Sequence, residues 1–227
     1  HAMKCAAEGH SLVVSGRAGS GKSYWIREFY QRFQQNTAIT ATTGIAGVNV
    51  GGMTIHRLSG IGNGACGAEA NAVLKQIRVA RSKINDGNMN IKAMEKEFVR
   101  LAGAYLAAKT CKFPKNVRKI RKMETIVLDE CSMLSRYLFE VLDVVFRLVR
   151  RNSKPWGGLQ VIFVGDMCQM PPVAPDAPDE DDIMADYFFS SELFEKLFQQ
   201  RVFVFKEIFR QKDPRFQNLL NRVAHGI

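Results

Sequence analysis

The chain has 227 residues, of which 46% are hydrophobic, and a formal net charge of +10. That length supports one sizeable core with small lobes attached, and the positive field favours polyanionic partners without choosing among DNA, RNA and anionic membrane. No apolar run is long enough for a helix to span a bilayer and no secretory leader reads ahead of the first strand; five scattered cysteines, Cys5, Cys66, Cys111, Cys131 and Cys168, fit neither a disulfide framework nor a close-spaced zinc site and read as reduced thiols inside a cell.

His1-Ala2-Met3 reads as a tag remnant before an internal start. Ser11 to Val14 is a short apolar strand that runs into a glycine-rich loop, and Ser23 to Gln34 follows as a helix with Tyr24, Ile26, Phe29, Tyr30 and Phe33 as its apolar stripe. Thr37 to Ala41 is a second strand, and a helix starting near Ala46 is broken by Gly51-Gly52. Residues 68 to 108 read as mostly helical, with a break at Asp86-Gly87-Asn88. From Lys75 to Lys122 there are 14 Lys or Arg against three Asp or Glu, the main basic reserve of the chain. Thr125 to Leu128 and Leu159 to Val164 are buried-type strands, with a helix over Leu134 to Arg150 between them. Pro171 to Asp186 is a proline-rich acidic loop. A helix near Ser191 to Gln199, a strand at Val202 to Phe205 and a helix from Pro214 to Ala224 complete the reading. Apolar strands alternating with helices predict an α/β domain, a mostly parallel sheet flanked by helices.

The chemistry concentrates at strand ends. Gly16, Gly21, Lys22 and Ser23 match the G-x-x-x-x-G-K-[ST] spacing of a phosphate loop. Its glycines turn backbone N–H groups onto phosphate oxygens, so Gly16, Ala18, Gly19, Ser20, Gly21, Lys22 and Ser23 are the candidate ATP ligands. Lys22 reaches the β and γ phosphates and Ser23 offers its hydroxyl to Mg²⁺. Asp129-Glu130 follows the third strand. Asp129 is placed to hold Mg²⁺ and Glu130 to orient or deprotonate an attacking water. A small-molecule kinase needs only the first acid, so the doubled pair favours water as acceptor and an ATPase. Gln169, in the exit of the Leu159 strand, is a candidate reporter of the γ phosphate; an ordinary strand-to-turn exit is the other reading of that stretch. Arg210 is a candidate to neutralise charge developing on the γ phosphate, or else a surface arginine.

The blocks Gly16 to Ser23, Ala41-Thr-Thr-Gly-Ile-Ala46, Gly51-Gly-Met-Thr-Ile-His56, Val127-Leu-Asp-Glu-Cys-Ser-Met133, Trp156-Gly-Gly158, Val164 to Val173 and Phe209-Arg-Gln-Lys-Asp213 occur in one order across nearly the whole chain. In that order the sequence resembles the Pif1-like DNA helicases of superfamily 1, the branch that moves 5′ to 3′; RecD-like and Dda-like helicases are the nearest confusions. The resemblance implies a first RecA-like, phosphate-loop NTPase domain over 1–227, with Asp129 and Glu130 serving magnesium and water, Gln169 as γ-phosphate sensor and Arg210 as arginine finger. It implies that Thr42, Thr43, Gly44, Thr54 and His56, with Met170 and Pro171, meet single-stranded DNA. Short hydroxyls are natural phosphate ligands, which grip without reading sequence. His56 either contacts DNA or is a hydrogen-bonded structural histidine.

The glutamine-bearing segment that the family carries upstream of the phosphate loop is not found ahead of Ser11, and Cys131 stands where an aliphatic residue is common. The segment of about 65–122 reads as a basic helical insertion that either adds DNA contacts or is a solvated face. The family's second RecA-like domain is absent from this chain. The expectation is therefore the ATP-binding half of an ATP-dependent 5′-to-3′ helicase, monomeric as an isolated domain and unable to unwind alone. Its expected ligands are ATP and Mg²⁺, and its partners single-stranded and forked or tailed duplex DNA, with no membrane. A nucleic-acid-stimulated ATPase or switch without helicase activity is the alternative. A nucleus, a mitochondrion and a viral replication site all remain open as locations.

Overall fold

The strands at the centre of the sheet are mainly apolar and buried, the pattern of strands covered on both faces, while the edge strand Val202–Phe205 leaves Val202 and Val204 exposed. The computed structural model describes residues 1–61, 114–152, 154–172, 187–209 and 222. Its strands are β1 (Leu12–Gly16), β2 (Thr37–Ala41), β3 (Met53–Thr54), β4 (Thr125–Asp129), β5 (Gln160–Gly165) and β6 (Val202–Phe205). They form one six-stranded sheet in the order β3-β2-β4-β5-β1-β6, and every pairing is parallel. All six carboxyl ends therefore lie along one edge, where α/β sheets bind ligands. The expected helical segment 68–108, the acidic stretch 173–186, the helix from Pro214 apart from Arg222, and Cys66, Cys111 and Arg210 fall outside the described residues.

Helices cover both faces. On one side lie Ala2–Ala7 and Lys22–Phe33, burying Ala2, Ala6, Trp25, Ile26 and Phe29 against Leu12, Val14, Val127, Ile162 and Val164. Ala2, within the stretch that reads as a tag remnant, is thus packed in the core. The helix stripe differs from the expectation at three positions: Trp25 is buried, 7% exposed, while Tyr24, 68% exposed, and Tyr30, 37% exposed, face outward. Trp25 stacks on Phe29 at 5.6 Å between ring centroids, an arrangement that Tyr24, about 100° around the helix, does not reach.

The other face carries Ile55–Ser59, Pro114–Lys122, Arg136–Arg150 and Glu192–Phe198. Its centre is an aromatic cluster in which Phe163 meets Trp156 at 5.5 Å and Phe188 at 5.3 Å. Trp156 sits there in a left-handed backbone conformation with φ 51°. Its backbone N–H donates to the buried Asp143 carboxylate at 2.7 Å, and the same oxygen accepts from Arg147 Nε at 2.9 Å. Gly157 follows with φ +64°, and a Cβ there would lie 2.5 Å from the Phe146 carbonyl oxygen. Gly157→Ala is expected to cost about 3 kcal/mol, from left-handed strain plus a backbone clash. For a domain of this size, thermal denaturation should show a midpoint about 6–12 °C lower; an unchanged midpoint would refute the clash.

Candidate ATP and DNA site

The strand order distributes the candidate residues along the carboxyl edge. From one side it presents Thr54 at the end of β3 and His56 after it, Thr42 to Gly44 after β2, and Asp129-Glu130 at the end of β4. Asp166 to Pro171 after β5, the phosphate loop after β1 and the β6 exit follow. Neighbouring strands are about 4.8 Å apart, so the candidate DNA residues of β2 and β3 and the candidate ATP residues of β4, β5 and β1 form adjoining groups. Met170 and Pro171, both exposed, stand beyond Gln169 on the ATP side.

The phosphate loop has the backbone that its ligand requires. Gly19 and Gly21 have φ of 82° and 89°, and a Cβ on Gly16 would lie 2.5 Å from Ser20 Oγ and 2.9 Å from the Phe205 carbonyl oxygen. Only glycine fits such a close turn. Lys22 begins the helix, and its ammonium donates to the carbonyls of Gly16 at 2.6 Å and Arg17 at 3.0 Å. Burial lowers the Lys22 pKa, while the negative charges of Asp166, Glu130 and Asp129 act to raise it. Ser20 Oγ is buried and has no hydrogen-bond partner among the described residues, while Ala18 is exposed on the loop and Ser23 in the first turn of the helix. This is a donor-lined cradle that fits a polyphosphate.

Asp129 is buried and accepts the Glu130 N–H at 2.9 Å. Burial raises its pKa, as does the charge of Glu130, while that hydrogen bond and Lys22 lower it. Glu130 turns the chain with φ 54°, a left-handed residue that caps the 3₁₀ turn Cys131–Met133. Among the described residues no group of three or more His, Cys, Asp or Glu could hold a metal by itself. A site built from one carboxylate, one hydroxyl and phosphate oxygens is what Mg²⁺ uses with nucleotides, and Asp129 and Ser23 fit that role.

Thr42 links the two groups. Its N–H donates to the Asp129 carbonyl at 3.3 Å and its hydroxyl to the Glu130 carbonyl at 2.9 Å. The hydroxyl proton is therefore committed to the β4 turn, unlike the free phosphate donor expected from sequence. Thr43 and Thr54 are helix N-caps, accepting from Ala46 N at 3.3 Å and Arg57 N at 3.1 Å, and each keeps its own hydroxyl proton to donate. Gly44 is exposed, and a Cβ there would meet nothing within 4 Å. His56 Nδ1 donates to the Ile61 carbonyl at 3.2 Å, and burial lowers its pKa. Its neutral form has Nε2 as an acceptor, suited to a base edge or stacking rather than to donating to a phosphate.

Two residues of the quoted blocks have no role in the sequence reading. Asp166 is buried at the end of β5; its carboxylate accepts from Gln169 Nε2 at 3.1 Å and Cys168 N at 3.2 Å, and it faces Lys22 electrostatically. The signal was its place three residues before Gln169 at a strand exit. Phe209 donates its N–H to the Gly19 carbonyl at 2.8 Å, and its ring lies 3.7 Å from a Cβ placed on Gly21. It ties the β6 exit to the phosphate loop.

The PIF1-like helicase family model matches residues 2–94 and 103–226. The ATP-dependent DNA helicase PIF1 of Saccharomyces cerevisiae is 32% identical over 99% of this chain, which spans 22% of that protein. The crystal structure of Pif1 helicase from Candida albicans aligns at a TM-score of 0.69 and 28% identity, over 98% of this chain and 42% of that one. Pif1 helicase from Bacteroides in complex with ADP-AlF3 and ssDNA aligns at 0.67 and 26% identity, over 98% and 45%.

Proposed function

This chain belongs to the PIF1-like helicases, and on that premise we propose that it is the first RecA-like, ATP-binding domain of a 5′-to-3′ DNA helicase that moves on single-stranded DNA. This chain spans about a fifth of the length of the yeast and Candida PIF1 proteins it matches, and a second RecA-like domain is part of the proposed whole helicase. The observation that carries the reading is the sheet edge on which Thr42 is bonded to the backbone of Asp129 and Glu130. A change at the nucleotide then bears on a residue of the DNA surface through one hydrogen bond.

In this reading Lys22 and the loop N–H groups bind the ATP phosphates, with Gly16, Ala18, Gly19, Ser20 and Gly21 shaping the cradle. Ser23 and Asp129 hold Mg²⁺, which neutralises charge on the phosphate oxygens when bound. Glu130 orients the attacking water and takes its proton. Gln169 senses the γ phosphate, and Arg210 neutralises it during hydrolysis. Thr43, Gly44, Thr54, His56, Met170 and Pro171 grip the strand, with Thr42 at the junction. Forked or tailed duplex DNA is the substrate, and the isolated domain is a monomer that does not unwind.

Asp166 acts as a positioning residue for Gln169. Asp166→Ala should lower kcat about 10–100-fold with little change in nucleotide Kd, because the sensor loses its anchor. Asp166→Asn keeps an accepting oxygen and should recover much of the rate. Equal loss of rate and binding in both variants would instead mean a structural role. The reading as a whole is tested by strand displacement with the full-length protein on 5′-tailed and 3′-tailed duplexes. Displacement of the 5′-tailed substrate alone is expected; ATPase activity stimulated by single strands with no displacement of either would establish the switch reading instead.

A further inference from the structure

The helix Pro114–Lys122 carries a charged surface that neither the ATP site nor the packing uses. Val117 and the buried Ile120 face the core, which leaves Arg118, Lys119 and Lys122 exposed on the opposite side. None of these three makes an ion pair among the described residues. Cations in a last helical turn often serve its open carbonyls, but here Arg150 takes that place, donating to the carbonyls of Ile120 at 3.0 Å and of Met123. Arg121 is likewise occupied, its Nε donating to the Val149 carbonyl at 2.9 Å. Local structure thus accounts for Arg121 and Arg150 and leaves Arg118, Lys119 and Lys122 over.

Their location gives them a use. Asn116 Nδ2 donates to the Arg57 carbonyl at 2.7 Å, which docks this helix on the short helix Ile55–Ser59. That helix is capped by Thr54, bears His56, and exposes Arg57. The basic helix leads into β4 at Thr125, the end of the sheet opposite the ATP edge. It therefore runs from the candidate DNA surface down the flank of the domain, about 13 Å long at 1.5 Å per residue.

We propose that Arg57, Arg118, Lys119 and Lys122 form a rail that binds the DNA phosphate backbone where it leaves the Thr54–His56 surface. The proposal rests on the reading of that surface as a DNA track. The contacts are with phosphodiesters and independent of base sequence, so binding through the rail is salt-dependent. The phosphates come either from the extended single strand or from the duplex arm of a tailed substrate.

The test is equilibrium DNA binding by the full-length protein and its R118Q/K119Q/K122Q variant, followed by fluorescence anisotropy across a salt series. The probes are oligothymidylates of about 6 and about 16 nucleotides and a tailed duplex. Loss of three phosphate contacts should reduce the slope of log K against log salt by about 2 on single strands. Between 50 and 200 mM salt, wild-type affinity should then fall about 16-fold further than that of the variant. The 6-nucleotide probe should bind both proteins alike, and a charge-keeping R118K/K119R/K122R variant should restore the slope. A reduced slope on the 16-nucleotide probe assigns the rail to the single strand; a reduced slope on the tailed duplex alone assigns it to the duplex arm. A folded variant with wild-type slopes on every probe overturns the rail while leaving the DNA track intact. Wild-type protein that binds none of the probes overturns the track and the rail together. Loss of binding to phosphatidylserine vesicles with unaltered DNA binding would assign the surface to a membrane and also overturn the proposal.

Discussion

Lys22→Ala is expected to abolish ATP turnover by the full-length protein, with kcat/KM falling at least about 10²–10³-fold, the loss seen when a preorganised charged donor is removed. Lys22 stands in the field of all three acids of the site, Asp166, Glu130 and Asp129. Removing it subtracts a phosphate ligand and leaves three carboxylates with less compensation. Asp129 responds in a defined direction. Its pKa stands above 3.8 because of burial, and Lys22 is one of the groups that hold it down. Without Lys22 it rises further, so Mg²⁺ must displace a more tightly held proton. Metal-dependent nucleotide binding in the variant should weaken at a higher pH than in the wild type as pH is lowered. For stability the sign is that of a raised acid: the contribution is present below the unfolded pKa and lost as pH rises through the folded one. At neutral pH the variant therefore carries a larger cost from ionised Asp129, which thermal denaturation can measure alongside ATP turnover. Normal turnover in this variant would refute the site.

The parts legible from sequence are those in which local pattern and tertiary role coincide. β2 and β6 occupy the expected residues because each is a short run of β-branched and apolar residues bounded by polar residues. The phosphate loop is legible because its backbone geometry demands glycines at fixed offsets. What escapes depends on contacts between elements. β3 and the Ile55–Ser59 helix are too short to show a period, and only the Thr54 cap and the pairing of Met53 with Thr40 mark them. Trp25 rather than Tyr24 enters the core because the sheet, and not the helix alone, selects the buried face. Asp166 reads as a turn acid until its bond to Gln169 and its charge opposite Lys22 are seen. Thr42 has the residue type of a phosphate ligand, yet β2 lies next to β4 and directs its hydroxyl to Glu130. Adjacency of non-consecutive strands cannot be read from their separate patterns.

Glu130→Gln should separate binding from chemistry. The left-handed φ of 54° at residue 130 holds the turn Cys131–Met133, whose Met133 N–H returns to the Glu130 carbonyl at 3.3 Å. The same carbonyl accepts the Thr42 hydroxyl. Glutamine has the same backbone and nearly the same volume, so these contacts and the connection to the DNA surface persist. What disappears is the carboxylate able to take a proton from water. Removal of a positioned general base costs about 10²–10⁴-fold in rate. We expect kcat to fall by that amount, with nucleotide Kd within about threefold of wild type, a difference of roughly 0.6 kcal/mol. The charge change also relieves Asp129, whose pKa Glu130 raises, so Mg²⁺ affinity should not decline. A variant that binds ATP without turning it over should keep the Thr42 turn in its nucleotide-bound state and hold single-stranded DNA at a fixed affinity through many wild-type cycles. Single-turnover hydrolysis and DNA dissociation kinetics, measured on the same full-length preparation, decide this. Wild-type hydrolysis would show that another group activates the water. Slow hydrolysis with ordinary DNA release would show that the bond from Thr42 to Glu130 does not transmit the state of the nucleotide.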